Sequence, residues 1–218
     1  MKSNLLSFIA ALSLSLALPA DVKVTVGRNT SLAASGTFQF KNVPSPAKDD
    51  AASKAKLSLV LGRRDFNGAD LAALTDGLLP TTEDQPEANF FFDAGTHGGR
   101  FRMDFGSVIE IAQVNTYSWH ANTRGPQVYN LFASDAADPN FNPAPDAKTD
   151  PATVGWKLIA TVYTIPKEGE MGGQYGVSIT VPGGSLGKFR YLLFDCDATE
   201  FDDAWGNTFF SEIDVIKM

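Results

Sequence analysis

The sequence predicts an all-β protein, built as a β-sandwich or a barrel with few helices. Short apolar stretches with period-two alternation recur along the chain, as expected for strands that bury one face and expose the other. Turn-forming clusters separate these stretches, and the 218 residues include 19 Gly and 12 Pro. The 16 Phe residues add to the β tendency.

The composition is that of a globular protein. Hydrophobic residues make up 44% of the chain and charged residues 20%, which argues against disorder. The length suits one domain with a short extra segment. The formal net charge of −7 argues against nucleic-acid binding and against electrostatic docking on anionic lipid, because both need a basic surface.

Residues 1–20 are predicted to be a secretory signal peptide. Lys2 supplies a positive start, residues 5–18 are apolar apart from three serines, and small residues ending at Ala20 offer a cleavage site. A membrane anchor is the less favoured alternative, because a span needs about 20 apolar residues. The protein is therefore expected to be secreted or periplasmic, with no membrane span. Cys196, the single cysteine, can form no intramolecular disulfide and is predicted to be a small buried hydrophobe.

Residues 21–64 are predicted to form an N-terminal extension or a pair of added edge strands. Apolar residues alternate at 22–26 and again at 57–61. Between them, residues 42–55 are polar and rich in Pro, Ala, Lys and Asp, which predicts a mobile loop.

Residues 65–218 are predicted to form the main β domain. Its one short helical stretch covers residues 70–74, with Gly77 as a stop signal. The strand-like stretches that follow are 101–105, 108–119, 128–134, 155–163, 174–181, 188–196 and 209–216.

The sequence carries a hydrolase-like motif without its context. Residues 183–187 fit G-x-S-x-G around Ser185, but that motif requires a strand before it, a helix after it and a later histidine. Here a strand-like stretch follows, and both histidines, His97 and His120, precede Ser185. The motif is therefore predicted to be a glycine-rich hairpin turn. No zinc-ligand spacing occurs and no carboxylate pair stands out, so the chain is not expected to be an enzyme.

Four segments occur in an order known from one family. They are Leu74-Thr75-Asp76-Gly77-Leu78-Leu79-Pro80-Thr81-Thr82, Arg100–Gly106, Val108–Val114 and the terminal Phe210-Ser211-Glu212-Ile213-Asp214-Val215. Together they resemble the discoidin, or coagulation-factor type C, domains and the related carbohydrate-binding modules of the galactose-binding-domain-like fold. The resemblance covers about residues 65–218.

The resemblance implies a jelly-roll β-sandwich whose first and last strands lie side by side, with a structural Ca²⁺ where they meet. The matching ligands are the carboxylates of Asp76 and Glu212 and the hydroxyl of Thr82 or Thr81. Such oxygens suit Ca²⁺, which takes six to eight of them and mixes carboxylates with backbone carbonyls. Residues 83–93 form an irregular insert that leaves the choice of threonine open. The alternative is a turn aspartate and a solvated glutamate.

The resemblance also implies a glycan site in loops at one end of the sandwich, where an aromatic ring stacks on a sugar. Trp119 or Trp205 would be the platform, because sugar C–H faces are apolar. His120, Arg124 and Asn207 would donate hydrogen bonds to sugar hydroxyls.

Each of these assignments has a structural alternative. Trp119 would instead fill the core, and Arg124 would pair with the acidic stretch 195–203 and join two loops. Trp156 is predicted to be core because it alternates with Leu158. The expected function is an exported, non-catalytic, calcium-stabilised module that binds a glycan or polysaccharide. The alternatives are a protein-interaction or cell-envelope structural module and, third, a hydrolase.

Overall fold

The structure is a computed structural model that describes residues 21–200 and 206–218; the predicted signal peptide lies outside this part of the chain. The strands are β1 (Lys23–Thr30), β2 (Lys56–Leu61), β3 (Gly99–His120), β4 (Val128–Ser134), β5 (Lys157–Tyr163), β6 (Gly173–Thr180), β7 (Gly187–Cys196) and β8 (Phe210–Lys217). Short 3-10 helices cover Ser31–Ala33, Ala52–Lys54, Leu71–Thr75, Pro86–Ala88 and Pro151–Thr153. The predicted all-β class is confirmed, and the predicted short helix is the 3-10 helix Leu71–Thr75. Within the described ranges, no helix has the length and apolar character needed to cross a membrane.

One long strand, β3, contributes to both layers of the sandwich. Its first part pairs with β2 and β7, and its second part pairs with β6 and β8. Between the two parts lies a register irregularity at 104–109. Gly106 in this stretch has a φ of 75°, a left-handed backbone conformation that favours glycine. The layers therefore have the orders β2-β3-β7-β4-β5 and β1-β6-β3-β8. Because β1 and β5 each pair with one neighbour, the fold is an open sandwich and not a barrel.

The core lies between the two layers. Phe101 of β3 stacks on Phe194 of β7 with ring centroids 4.8 Å apart, and Phe210 of β8 meets Phe101 edge-on at 6.1 Å. All three side chains are buried. Cys196 belongs to the same cluster, and burial raises the pKa of its thiol, so the prediction of a buried small hydrophobe is confirmed.

The first and last strands of residues 65–218, the range that the resemblance covers, lie side by side. They are β3 and β8, which pair in antiparallel orientation, so this expectation is confirmed. β1 belongs to the N-terminal extension, and β6 and β3 separate it from β8. The insert also contacts β8, because Phe90 forms an isolated antiparallel bridge with Phe210.

Residues 21–64 are integral to the sandwich, since β1 and β2 are edge strands of the two layers. Between them, residues 34–51 form a strap across the outer face of the second layer. Phe40 of the strap lies over Gly27 and Gly176, where an added Cβ would come within 2.7 Å and 3.0 Å of its ring. The end of the strap is packed on the last strand, because the Ala51 amide donates to Val215 O at 2.9 Å. The stretch that was expected to be a mobile loop thus lies against the sandwich.

A second covering segment, residues 135–156, lies on the outer face of the first layer. Trp156 is 4% exposed and packs with Tyr191 and Phe141 in a small separate hydrophobic cluster, which confirms that Trp156 is a core residue. Arg100 fixes the segment because its Nη1 donates to the Asp146 carbonyl at 2.7 Å and to the Thr149 carbonyl at 3.0 Å. The strap and this segment together cover much of both outer faces of the sandwich.

Strand direction assigns each loop to one end. We call one end the loop end; it carries residues 62–98, 121–127, 164–172 and 197–209. The opposite end carries the bend of β3 and the β6–β7 connection. The G-x-S-x-G motif lies in that connection, and Ser185 Oγ donates to Glu110 Oε1 at 3.0 Å. The connection joins the two layers, because β6 and β7 do not pair with each other; the predicted hairpin was therefore wrong, although a turn does form.

Candidate functional site

A stack of two aromatic rings forms the base of the loop end. Phe91, from the insert, and Phe209, which precedes β8, stack with ring centroids 3.9 Å apart. Both are nearly fully buried. His120, the last residue of β3, meets Phe209 edge-on at 4.6 Å, and the Arg124 guanidinium carbon lies 5.0 Å from the centre of the Phe209 ring. The stack thus places the His120 imidazole next to the Arg124 guanidinium. The sequence predicted both side chains as hydrogen-bond donors to a sugar.

Backbone hydrogen bonds tie this region into a ladder across the loop end. Four segments lie in the order 63–65, 90–93, 207–210 and Arg124. The linking bonds run from Asp65 N to Phe91 O (3.0 Å), from Phe90 N to Phe210 O (2.8 Å) and from Phe209 N to Arg124 O (3.0 Å). Because each link is a backbone contact, the side chains of the region are held at fixed spacings.

The burial of His120 and its hydrogen bond favour the neutral imidazole. The Asn122 amide donates to His120 Nδ1 at 3.2 Å, so the ring proton is assigned to Nε2. Nε2 lies 3.8 Å from Oδ1 of Asp84, whose side chain is 66% exposed. Burial lowers the pKa of His120, and the neighbouring Arg124 charge lowers it further. The arrangement places one N–H donor next to one solvent-facing carboxylate.

Threonine side chains join the two loops that flank the stack. Thr123 Oγ1 donates to Glu200 Oε1 at 2.6 Å, and the Thr199 hydroxyl donates to the Thr123 carbonyl. The acidic loop is therefore fixed to the loop that carries Arg124. The two loops are thus joined, as the structural alternative for Arg124 expected, and the sequence did not indicate that threonine side chains contribute to the joining.

Trp119 lies away from this cluster. It is 4% exposed and, with Phe40, Pro80 and Gln174, lines a cavity of about 10 Å³ beneath the strap. Its side chain is on the outer face of the second layer, since it alternates with His120 along β3. A ring covered in this way cannot stack on a sugar in this structure. The alternative prediction, that Trp119 is a packed core residue, therefore describes it better.

Asn207 has a structural position, and Trp205 lies outside the described residues. The Asn207 Nδ2 donates to the Asp93 carbonyl at 2.9 Å and to the Thr96 carbonyl at 3.2 Å, while only 2% of the residue is exposed. This contradicts the prediction that Asn207 donates to a sugar hydroxyl, because its donors already hold the 93–96 turn. Trp205 is one of residues 201–205, which the structure does not describe.

Glu212 and the Asp76-Gly77 turn meet, as the resemblance implied. The Gly77 amide donates to Glu212 Oε2 at 2.8 Å, which joins the end of the Leu71–Thr75 helix to β8. Glu212 is 0% exposed, and its Oε1 has no hydrogen-bond partner. Burial, together with smaller contributions from the carboxylates of Asp214 and Asp76, raises the Glu212 pKa to about 9. A buried, half-satisfied carboxyl of this kind must either hold a proton or face a cation.

The other side chains predicted to bind Ca²⁺ face the solvent. Asp76 and Thr82 are exposed, and Asp76 Oδ1 accepts the Leu78 amide at 2.9 Å. Thr81 is engaged by Gln85, whose Oε1 lies 3.3 Å from the Thr81 hydroxyl. In the described ranges, no three His, Cys, Asp or Glu side chains are grouped to hold a metal ion. Hydroxyl and carbonyl oxygens would have to supply most of a calcium shell here, which Ca²⁺ accepts.

No protein-family model matches the sequence, and the comparison with curated proteins gives no match. Solved structures do match. CBM32-1 from a family 31 glycoside hydrolase of Clostridium perfringens is 10% identical, with 78% of this chain and 99% of that chain covered and a TM-score of 0.48. A fucose-binding module from Streptococcus pneumoniae is 12% identical, with 78% and 98% covered and a TM-score of 0.47. A chitosan-binding module from Paenibacillus is 14% identical, with 76% and 96% covered and a TM-score of 0.47. These neighbours are carbohydrate-binding modules.

Proposed function

We propose that this chain is an exported, non-catalytic module that binds a glycan at the loop end of its sandwich. The observation that supports the proposal is the grouping of Arg124, His120 and Asp84 around the Phe91–Phe209 stack. A guanidinium and an imidazole N–H donate hydrogen bonds, and a carboxylate accepts them, which matches the alternating donors and acceptors of sugar hydroxyls.

Fixed geometry supports a binding role for these groups. The ladder and the threonine contacts hold the flanking loops in place before any ligand arrives. Such preorganisation reduces the entropy that a weak polar ligand must overcome on binding. Trp205 completes the proposal as the stacking platform, because its loop is anchored at Glu200 on one side and at Asn207 on the other.

Calcium is the second part of the proposal. Glu212, Asp76 and the Thr82 hydroxyl would hold Ca²⁺, with nearby backbone carbonyls completing the shell. The unpartnered, fully buried Glu212 Oε1 supports this assignment. The ion would compensate the buried charge and join the Asp76-Gly77 turn to the last strand; it has no part in any chemical step.

Arg124→Gln should weaken glycan binding at least tenfold, because hydrogen bonds from a charged donor contribute about 1.5–3 kcal/mol each. Isothermal titration with the best ligand from a polysaccharide panel measures this. Arg190→Gln is the matched control, since Arg190 pairs with Asp104 on the first layer and lies away from the loop end. If Arg124→Gln binds as tightly as the unaltered protein and the control, the proposed site is wrong.

A further inference from the structure

The loop end presents one more aromatic ring, Phe66, which has no part in the proposed glycan site. Phe66 is 85% exposed, and among the exposed large hydrophobic side chains of the described ranges only Phe66 and Tyr163 are aromatic. Exposed phenyl rings lose hydrophobic stabilisation that burial would provide. A lone exposed ring is ordinary on a protein surface, so the case for Phe66 depends on the turn that carries it and on its place at the loop end.

The backbone around Phe66 is fixed on both sides. The buried carboxylate of Asp65 accepts the Asn67 amide at 3.0 Å and the Asn67 side-chain amide at 3.1 Å. The Gly68 amide donates to the Asp65 carbonyl at 3.1 Å, and Arg64 Nη1 donates to the carbonyls of Asp65 and Gly68. The turn therefore holds Phe66 outward at a defined place and does not leave it on a loose loop.

The ladder sets the separation between Phe66 and the proposed sugar site. Phe66 follows Asp65, which belongs to the first segment of the ladder, and Arg124 belongs to the fourth. Three steps of about 4.8 Å between neighbouring segments place the Phe66 turn roughly 15 Å from the Arg124 backbone. One pyranose ring is too short to touch both places, whereas a chain of several linked sugars can.

We propose that Phe66 is the platform of a distal subsite and that the protein recognises an extended glycan chain in preference to a monosaccharide. This inference rests on the proposed function. Arg124 and His120 contact one sugar through its hydroxyls, and Phe66 stacks against the apolar face of a sugar further along the chain. Affinity therefore rises with chain length up to the sugar that reaches Phe66.

The experiment measures affinity against chain length. Series of cello-, chito- and manno-oligosaccharides, each from the monosaccharide to the hexasaccharide, are titrated into the unaltered protein and into Phe66→Ala, Phe66→Trp and Tyr163→Ala. Tyr163 is 66% exposed on β5, the edge of the first layer opposite β2, so it is the matched exposed aromatic. Melting curves are expected to be unchanged for all variants, because neither ring is packed.

The expected result is specific to long ligands. Phe66→Ala loses about tenfold in affinity for the longest oligosaccharide bound and nothing for the monosaccharide, while Phe66→Trp and Tyr163→Ala keep the length dependence. Binding that is equal for Phe66→Ala and the unaltered protein at every length overturns the distal subsite and leaves the Arg124 site standing. Absence of binding to every series and to the polysaccharide panel overturns both.

Discussion

Replacing Trp119 by alanine should lower the free energy of unfolding by about 3–5 kcal/mol, the cost of deleting a large buried aromatic side chain. The ring is 4% exposed and fills the space between β3 and the strap. Its removal leaves a cavity that Phe40 and Pro80 border. Urea-induced unfolding followed by circular dichroism measures the change.

Trp119→Phe separates packing from the indole nitrogen. Trp119 Nε1 is buried without a hydrogen-bond partner, so phenylalanine removes an unsatisfied donor while it keeps most of the ring, and its cost should be well below that of alanine. Tyr163→Ala, at an exposed site, should change stability by less than about 0.5 kcal/mol. An alanine variant with unchanged stability and lost glycan binding would contradict this account and restore Trp119 as the platform.

Calcium should raise the melting temperature of the protein, and Glu212→Gln should abolish that rise. At a concentration of about 100 times its dissociation constant, an ion that binds only the folded state contributes about 2.7 kcal/mol. For a chain of this size, that corresponds to roughly 5–10 °C. Differential scanning fluorimetry with Ca²⁺, with Mg²⁺ and with EDTA measures the shift; Glu110→Gln, on a half-exposed carboxylate at the opposite end, is the matched control.

The pH dependence of the free energy of unfolding, measured in EDTA, follows from the same Glu212 carboxyl group. The folded-state pKa of Glu212 is raised to about 9 from its ordinary value of 4.5, so its protonated form is favoured by folding. The contribution is complete below the unfolded pKa and is lost as pH rises toward the folded pKa. Without calcium, the free energy of unfolding should therefore fall as the pH rises from about 4.5 to about 9. Glu212→Gln should flatten this fall, and a calcium response that survives in Glu212→Gln would contradict the assigned site.

The strands and the Glu212 contact were predictable because their signals are local or carried by motifs. Alternation along 101–105 and 108–119 located both halves of β3, although the sequence did not show that they form one strand continuing through the bend at Gly106. The family pattern placed the Asp76-Gly77 turn next to Glu212. The structure shows this contact, although Gly77 and Glu212 are 135 residues apart in the sequence.

The position of Trp119 was not predictable because it depends on a distant segment. Alternation shows that Trp119 and His120 point to opposite faces of β3, but not which face is covered. The strap covers the Trp119 face, and its sequence is polar and turn-rich. Phe40 reaches the sheet there only because Gly27 and Gly176 leave room for its ring, and such a pair of distant glycines carries no signal in a single sequence.

The aromatic residues of the loop end were missed for a related reason. Phe91 lies in the insert that was described as irregular, and Phe209 was assigned to a strand. Their stacking requires the insert to bridge β8, which no local pattern indicates. Phe66 stands alone among polar residues, without the periodicity that marks strands or helices; its exposure on a fixed turn is visible only in the structure.

The most direct test of the central claim is a binding screen of the purified protein against a panel of polysaccharides and oligosaccharides, in calcium and in EDTA, with tryptophan fluorescence as the readout. We expect saturable binding to at least one glycan, with a tryptophan signal that reports Trp205 and that Arg124→Gln removes. If the folded protein binds no glycan in calcium or in EDTA and instead retains a protein partner, the loop end is an interaction surface and the glycan-binding function is wrong.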